Sequence, residues 1–261
     1  MPRRILSLVA LALAGVLLAA CGGSSDEGSP LDQVKADGVL KIGTEGTYSP
    51  FTFHAQDTNE LTGYDVEVIT AVAKKLGVKP EFSESTFDAI FAGLTSERWD
   101  VVANQVTRTP EREKLYDLSQ TYTVSEGVIL VKKGDTAITS LDDLKGRTTA
   151  QSSTSNWAQV AKDAGAKVES VEGFVQAVTL VKQGRVDAIV NDNLAVLDYL
   201  KNSGDTSVEV AAKTGDTSDQ VFAFRKDSGL VGPVNDALDE LRADGTLAKI
   251  SEKYFGSDVS K

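Results

Sequence analysis

The chain has 261 residues, of which 41% are hydrophobic and 25% are charged, and its formal net charge is −11. The length allows one large domain or two small ones, and the acidic balance argues against nucleic acid as a partner, because phosphate binding needs a concentrated positive surface. One Cys and one His exclude an internal disulfide and a Cys/His zinc site, and no metal or cofactor is predicted.

The first twenty residues have the pattern of an export signal. Arg3 and Arg4 precede an apolar run over residues 5–20. At about 1.5 Å per residue, a helix of this length is too short for a ~30 Å hydrocarbon core. A basic start, a short apolar stretch and small residues before a cleavage point are typical of a secretory signal peptide. Residues 1–20 are therefore predicted to be a signal peptide.

The next segment, residues 21–30, has the composition of a flexible tether, CGGSSDEGSP. Such a composition cannot bury apolar area. The preceding Leu18-Ala19-Ala20-Cys21 resembles the lipobox of bacterial lipoproteins, in which the cysteine is lipidated and becomes the mature N-terminus. This resemblance implies anchoring to membrane lipid through Cys21, with the protein facing the periplasm or the cell exterior. A plain secretory signal with an incidental cysteine is the alternative.

Beyond the tether, short β-branched runs alternate with amphipathic stretches. In the helix predicted over residues 65–76, Ile69, Val72, Ala73 and Leu76 form one apolar stripe, and Gly77 ends it. Repeated βα alternation predicts an α/β fold with a parallel sheet, helices on both faces, and ligands at the carboxyl ends of strands. In chain order the predicted elements are strand 39–43, helix 65–76, strand 78–82, helix 87–94, strands 100–103 and 128–131, helix 141–144, strand 148–150, helix 156–164, strand 167–169, helix 174–183, strand 187–190, helix 194–201, strand 221–224, and helices 230–242 and 246–254.

Four stretches carry a family resemblance. They are GTEGTYSPFTF at 43–53, LTGYDVE at 61–67, RWDVVANQVT at 98–107 followed by TPER at 109–112, and DGTL at 244–247 followed by SEKYFG at 251–256. Together they resemble the extracellular amino-acid-binding proteins of ABC importers, solute-binding protein family 3, over essentially all of residues 31–261. The ANQVT block looks most like the cystine-binding members.

The resemblance implies a two-lobed, type II periplasmic-binding-protein-like fold. Each lobe holds a mostly parallel sheet flanked by helices, and two hinge strands join the lobes. By similarity, the first lobe spans residues 31–124 and 219–261, and the second spans residues 125–218. The alternation of elements alone does not indicate that the chain returns to the first lobe.

A free amino acid is a zwitterion, so its pocket must replace the hydration of a carboxylate and an ammonium. Arg112 follows the helix-start signal Thr109-Pro110, and a guanidinium fork suits a carboxylate. The resemblance places Arg112 on the ligand carboxylate, with the Thr107 hydroxyl nearby. Asn104 and Gln105 add polar groups at the end of the predicted strand, or alternatively cap the turn there.

The resemblance places Asp192 on the ligand ammonium, and the same residue is positioned to cap the helix that follows. Glu45 adds a second negative charge in the first strand-to-helix loop. Ser155 and Asn156 match the turn of the second lobe that contacts the carboxylate, although Ser152-Ser153-Thr154-Ser155 stands where a Gly-containing stretch is usual.

Aromatic side chains are predicted to enclose the ligand side chain. Tyr48 and Phe87 fall at matching ligand positions, and aromatic faces exclude water. Phe53 is a third candidate for this wall, and ordinary core is the alternative for all three rings. His54 is assigned to the surface or rim, and Trp157 to packing of its own helix.

The resulting expectation is a monomeric lipoprotein that captures an extracellular amino acid, cystine above the others, and delivers it to an ABC permease. Glutamine or another polar amino acid is an alternative ligand. An enzyme of the cyclohexadienyl dehydratase type, which shares this fold, is the alternative function, with Glu45 or Asp192 as general acid.

Overall fold

The computed structural model describes residues 30–261. The predicted signal peptide, Cys21 and residues 21–29 of the tether lie outside this part of the chain. The helices are α1 (Pro30–Asp37), α2 (Tyr64–Leu76), α3 (Phe87–Thr95), α4 (Pro110–Leu115), α5 (Asn156–Asp163), α6 (Phe174–Lys182), α7 (Asn193–Asn202), α8 (Val231–Ala243) and α9 (Thr246–Phe255), with a 3-10 turn at Asp142–Leu144. None of these helices has the length and apolar character that crossing a membrane requires.

The strands form one large mixed sheet and one small antiparallel sheet. In the large sheet the order is β10-β9-β11-β8-β12-β6-β1-β5, with β7 also paired to β12, and the small sheet is β2-β3-β4. The strands are β1 (Val39–Thr44), β2 (Thr47–Tyr48), β3 (Thr52–His54), β4 (Leu61–Thr62), β5 (Lys79–Glu84), β6 (Val101–Thr107), β7 (Tyr116–Leu118), β8 (Thr123–Lys132), β9 (Thr148–Gln151), β10 (Lys167–Ser170), β11 (Ala188–Asp192) and β12 (Val208–Arg225).

Parallel pairing occurs at both ends of the large sheet and antiparallel pairing in its middle. β1 pairs in parallel with β5 and β6, and β9 pairs in parallel with β10 and β11. β12 is antiparallel to β6, β7 and β8, and β11 is antiparallel to β8. The first lobe contains β5-β1-β6 and the C-terminal part of β12; the second contains β10-β9-β11-β8 and the N-terminal part of β12. The α/β fold of two lobes is therefore confirmed.

Two long strands pass from one lobe to the other. Thr123, Val124, Ser125 and Glu126 of β8 face residues 217–220 of β12 in antiparallel register. Beyond this crossing, β12 continues along β6 in the first lobe, and its earlier residues continue along β8 in the second. A paired ladder of two strands is stiff along its length and can bend across it, so the crossing is a suitable hinge.

Hydrophobic cores lie on either side of the crossing. One set of buried clusters includes Leu40, Tyr64, Trp99 and Phe222, and the other includes Leu130, Val181 and Ile189 with their neighbours. Ala195 of α7 packs into the first set, so the lobes touch. We propose the boundaries 31–124 with 219–261, and 125–218, for the two lobes because the clusters divide close to these positions.

Several predicted element limits were wrong. The last strand was predicted over 221–224 but begins at Val208. The polar residues 213–220 lack the apolar pattern that predicts strands, and residues 217–220 are held extended by pairing with residues 123–126 in the hinge ladder. The strand predicted over 100–103 continues to Thr107. The two-residue and three-residue strands of the small sheet are too short for periodicity to reveal them.

Trp99 anchors the face of the first lobe below α3. The indole is 1% exposed, and its Nε1 donates to the Ile90 carbonyl over 3.0 Å. Two glycines make room for the ring: a Cβ added to Gly93 would lie 2.0 Å from Trp99 Cζ2, and one added to Gly43 would lie 2.6 Å from Trp99 Cε2. These glycines are therefore packing positions, which allow a strand and a helix to close on the indole.

Gly93→Ala is expected to destabilise the protein by about 1–3 kcal/mol, because the added methyl overlaps a fully buried ring. Gly232→Ala is the matched control, since Gly232 also lies in a helix and a Cβ there meets nothing within 4 Å. That control should change the free energy of unfolding by less than about 0.5 kcal/mol, because the gain from alanine in a helix is opposed by Pro233, which disfavours a Cβ on the helical residue before it. Urea unfolding followed by circular dichroism measures both changes, and an equal response of the two variants would contradict the packing argument.

Candidate functional site

A cavity lies between the lobes, at the carboxyl ends of β1, β6, β9 and β11. We call it the cleft cavity. Its first-lobe wall comes from the loop after β1, the start of α3 and the end of β6, and its second-lobe wall comes from the ends of β9 and β11 and the starts of α5 and α6. Its lining residues are Glu45, Tyr48, Phe87, Asn104, Gln105, Ala150, Gln151, Ser152, Ser155, Asn156, Trp157, Gly173, Phe174, Ala177, Ile189, Val190 and Asn191.

A bulge in β6 positions two of the polar lining residues. Val102 pairs with Ala223 and Val106 pairs with Val221, so three residues of β6 lie opposite one residue of β12. Gln105, inside this bulge, has a φ of 47°, a left-handed conformation that is strained for a non-glycine residue. Bulges re-aim side chains beside binding sites, and this one brings Asn104 and Gln105 to the cleft cavity.

Asn104 holds Glu45 at the cavity wall. The Glu45 backbone N–H donates to Asn104 Oδ1 over 2.7 Å, and Asn104 Nδ2 donates to Glu45 Oε2 over 2.5 Å. Burial raises the pKa of Glu45 to about 7, against the opposing effect of the Asn104 hydrogen bond. The Glu45 carboxyl can thus exchange a proton near neutral pH, and it is rigidly placed.

Asp65, at the start of α2, holds Gln105 from behind. Its two carboxylate oxygens accept hydrogen bonds of 2.6 Å from the backbone N–H and from Nε2 of Gln105. The Asp65 side chain is fully buried, and burial raises its pKa to about 7. Asp65 does not line the cavity, so its place in the site is to fix the strained backbone and the amide of Gln105.

Arg112 is a buried cation beside the cavity. It is 8% exposed, and burial lowers its pKa to about 10, so it stays charged at neutral pH. Its guanidinium donates to the Thr107 carbonyl over 2.7 Å and to the Thr154 carbonyl over 3.2 Å, and it lies over the rings of Phe87 and Phe91. A guanidinium has five N–H donors, so further donors remain for an anion.

Asp192 is a buried acid at the end of β11. Its Oδ1 accepts from the Leu194 backbone N–H over 2.8 Å, so it caps α7 as predicted, and its Oδ2 accepts from the Ser125 hydroxyl. Burial raises the pKa of Asp192 to about 6. From Ser125 the hydrogen bonds continue to Gln220 over 3.1 Å and on to Thr107 over 2.9 Å. A buried chain of polar groups thus links Asp192 to β6 through both hinge strands.

Asp88 bridges the lobes at the turn before α5. Its carboxylate accepts hydrogen bonds from the backbone N–H and the hydroxyl of both Ser153 and Thr154, over 2.7–3.1 Å. These bonds account for the departure noted in the sequence, because serine and threonine hydroxyls supply donors that glycine lacks. The Ser155 side chain caps α5 by accepting from the Trp157 backbone N–H over 3.2 Å.

Aromatic rings cover the two sides of the cavity. Tyr48 lies 6.4 Å from Phe174, centroid to centroid, and its hydroxyl donates to Asn191 Oδ1 over 3.1 Å. Phe87 packs edge-on against Phe91 on the Arg112 side. The Tyr48–Asn191 bond joins the first lobe to the second, so the described arrangement is a closed cleft.

The structure brings most of the predicted site residues to the cavity wall. Glu45, Tyr48, Phe87, Asn104, Gln105, Ser155 and Asn156 line it. Arg112, Thr107 and Asp192 do not. Each of these three lies next to a lining group, and each makes its hydrogen bonds to the protein: Arg112 to carbonyls, Thr107 to Gln220, and Asp192 to Ser125 and the start of α7.

Sequence reasoning missed lining residues in the second lobe, including Gln151, Phe174 and Asn191. The position of two of them in the chain could have indicated them. Gln151 ends β9 and Asn191 is near the end of β11, and ligands bind at the carboxyl ends of strands in such sheets. Trp157 lines the cavity as well as packing α5. His54 is partly exposed and contacts Glu84 at 2.9 Å, away from the cavity, and Phe53 does not line it either.

Known proteins resemble this chain over nearly its whole length. The family profile of bacterial extracellular solute-binding proteins, family 3, matches residues 40–257. An L-cystine-binding protein of Bacillus subtilis, TcyA, is 54% identical, with 94% of each chain covered. TcyJ of Escherichia coli K12, also named as an L-cystine-binding protein, is 40% identical, with 91% of this chain and 90% of TcyJ covered.

Solved structures agree with this relationship. An ancestral arginine-binding protein bound to arginine is 42% identical with a TM-score of 0.79, over 84% of this chain and 99% of that one. The L-cystine solute receptor of Neisseria gonorrhoeae, in its unliganded open conformation, is 44% identical with a TM-score of 0.59, over 90% and 99%. The poorer superposition on the open protein fits the closed cleft described above. The chain belongs to family 3 of the bacterial extracellular solute-binding proteins.

Proposed function

We propose that this protein is the substrate-binding component of an ABC importer and that it captures L-cystine by closing its two lobes. The observation that carries the proposal is that one buried cation and two buried acids surround a single interlobe cavity. Arg112 lies beside the cavity on the first-lobe side, Glu45 lies on the cavity wall, and Asp192 lies behind the wall. Opposite charges placed this way match a zwitterion, whose two ends need opposite partners.

In this proposal the Arg112 fork binds the ligand carboxylate, together with Thr107 and the turn at Ser155 and Asn156. Asp192 and Glu45 face the ammonium. Tyr48 and Phe87 enclose the rest of the ligand, and Asn104 and Gln105 add hydrogen bonds at the β6 bulge. Small shifts of Arg112, Thr107 and Asp192 from their protein partners are required, because these side chains do not line the cavity as described.

Cystine is the proposed ligand because the curated relatives at 54% and 40% identity are named as L-cystine-binding proteins. Glutamine or another polar amino acid would satisfy the same charged groups. The protein is proposed to act as a monomer that delivers its ligand to the membrane-spanning permease subunits of the importer.

The ligand is proposed to leave chemically unchanged. Glu45, with its pKa raised to about 7, has the property of a general acid, which is the argument for a dehydratase. Against that role, its carboxylate is held by Asn104. One solved relative is described as an ancestral amino acid-binding protein and a precursor of cyclohexadienyl dehydratase. It is 36% identical to this chain, with a TM-score of 0.79, over 87% of this chain and all of that one.

Titration calorimetry with cystine and each of the twenty common amino acids, cysteine among them, tests which ligand binds. Cystine is expected to bind most tightly and to be recovered intact by mass spectrometry. Arg112→Ala should weaken its binding about 100-fold or more, since a charged, forked contact is lost. Arg108→Ala is the control, because Arg108 bonds to Glu113 and the Ser119 carbonyl and should leave affinity unchanged.

Three outcomes would count against the proposal. Tighter binding of a basic or acidic amino acid would refute cystine. Wild-type affinity in a folded Arg112→Ala variant would refute the assigned carboxylate contact. Conversion of prephenate or arogenate to product would establish an enzyme instead.

Binding is expected to weaken in acid. The ligand ammonium needs ionised Asp192, whose pKa is raised by burial to about 6 in the closed cleft without ligand. Below that pH the acid must release a proton before binding, so Kd rises by up to tenfold per pH unit as the pH falls. Asp192→Asn should bind weakly with no such slope, and Glu45→Gln should remove any part of the slope between pH 6 and 7. A wild-type Kd that is constant from pH 5 to 8 would refute this.

We also propose that Cys21 carries the lipid anchor. Expressed with its full leader in a bacterium that processes lipoproteins, the wild-type chain should incorporate labelled palmitate and sediment with membranes. Cys21→Ala should take up no label and appear in the soluble extracytoplasmic fraction. Equal membrane association of the two forms would contradict the lipobox interpretation.

A further inference from the structure

Two buried amide atoms around the cleft cavity have no hydrogen-bond partner within residues 30–261. They are Oε1 of Gln105 and Nε2 of Gln151. Both side chains line the cavity, and their exposed fractions are 7% and 5%. A buried polar atom without a partner is unfavourable, and the large majority of such atoms in folded proteins are paired. These two therefore require an explanation.

The orientation of the Gln105 amide follows from its partners. Its Nε2 donates to Asp65 Oδ1 over 2.6 Å and to Thr123 Oγ1 over 3.4 Å, while the other Asp65 oxygen accepts from its backbone N–H. An ionised carboxylate accepts and does not donate, so the nitrogen faces Asp65 whenever that acid is ionised. The oxygen is then left as an acceptor on the first-lobe wall.

Gln151 presents the opposite group from the second lobe. It is the last residue of β9, and its neighbours Ala150 and Ser152 also line the cavity. Its Oε1 accepts from the Thr149 hydroxyl over 3.0 Å, which leaves Nε2 as the unpaired atom. One lobe therefore offers an unpaired acceptor, and the other offers an unpaired donor.

We propose that Gln151 is a ligand-contacting residue that donates a hydrogen bond from Nε2 to a carboxylate oxygen of the bound amino acid, while Gln105 Oε1 accepts one from its ammonium. The inference rests on the proposed function, because it needs a ligand that carries both groups. It adds a side-chain donor at the end of β9 to the carboxylate contacts already proposed, so bound ligand joins the lobes through neutral amides as well as through charges.

Calorimetry with L-cystine, on the wild type and three variants, tests the inference. Gln151→Met keeps the length of the side chain without its donor and should weaken binding about tenfold to a hundredfold. Gln151→Glu replaces the donor by a negative charge facing a carboxylate and should bind more weakly still. Gln159→Met is the control, because Gln159 is an exposed glutamine on α5 bonded to Asp163, and its affinity should equal that of the wild type.

Nuclear magnetic resonance supplies a readout that a purely structural role would not give. In wild-type protein saturated with cystine, the side-chain amide protons of Gln151, assigned by their loss in Gln151→Glu, should show a nuclear Overhauser effect to the Hα of the bound ligand. The amide protons of Gln159 should show none. This measurement needs the wild type and Gln151→Glu, so it decides the matter even if Gln151→Met does not fold.

The outcomes separate the two proposals. A wild type that binds none of the amino acids overturns the proposed function and this inference with it. If the wild type instead binds cystine or another amino acid of the panel, that amino acid is then the probe. In that case, a Gln151→Met affinity within twofold of the wild-type affinity overturns only this inference. A saturated wild type in which the Gln151 amide shows no nuclear Overhauser effect to the ligand overturns it equally.

Discussion

The antiparallel pairing of Thr123–Glu126 with residues 217–220 determines how the two lobes meet. From this ladder β8 runs into the second lobe, and β12 runs along β6 into the first. Ser125 and Gln220, on opposite strands of the ladder, connect Asp192 with Thr107 by hydrogen bonds. Thr107 and Asp192, which are proposed to bind opposite ends of a ligand, are therefore connected by hydrogen bonds through the residues of the proposed hinge.

Buried charge is the second constraint. In the closed arrangement Arg112, Glu45, Asp65 and Asp192 are all buried, and this burial shifts the pKa of each in the direction that favours its neutral form. Carbonyls, amides and hydroxyls replace part of the lost hydration. Such dipoles stabilise a buried ion less than an opposite charge does. The binding of a zwitterion in the cleft is therefore favoured, because its two charges can pair with buried ions that the fold already holds in place.

Apart from α1 and α4, whose bounds were not predicted, the sequence predicted the helices of both lobes to within one or two residues at most ends, since their apolar stripes and caps are local. It did not predict the length of β12, whose residues 217–220 are held by pairing with residues 123–126. The same limit applied to the site. Arg112, Glu45 and Tyr48 came from motifs, whereas Phe174 lines the cavity because α6 packs against β9, which no local pattern records. The bulge that re-aims Gln105 depends on its register with β12 and was equally hidden.

The closed cleft has contacts of its own, apart from any ligand. Asp88 accepts four hydrogen bonds from Ser153 and Thr154, Ser49 donates to Asp198 over 2.8 Å, and Tyr48 donates to Asn191. These contacts favour closure before ligand enters. Apparent affinity equals intrinsic affinity multiplied by the closed fraction, so residues such as Asp88, which does not line the cavity, set part of the affinity. The ligand's contribution is the differential one: it must bind the closed arrangement better than either separated lobe. Charges and unpaired amides divided between the lobes satisfy that condition.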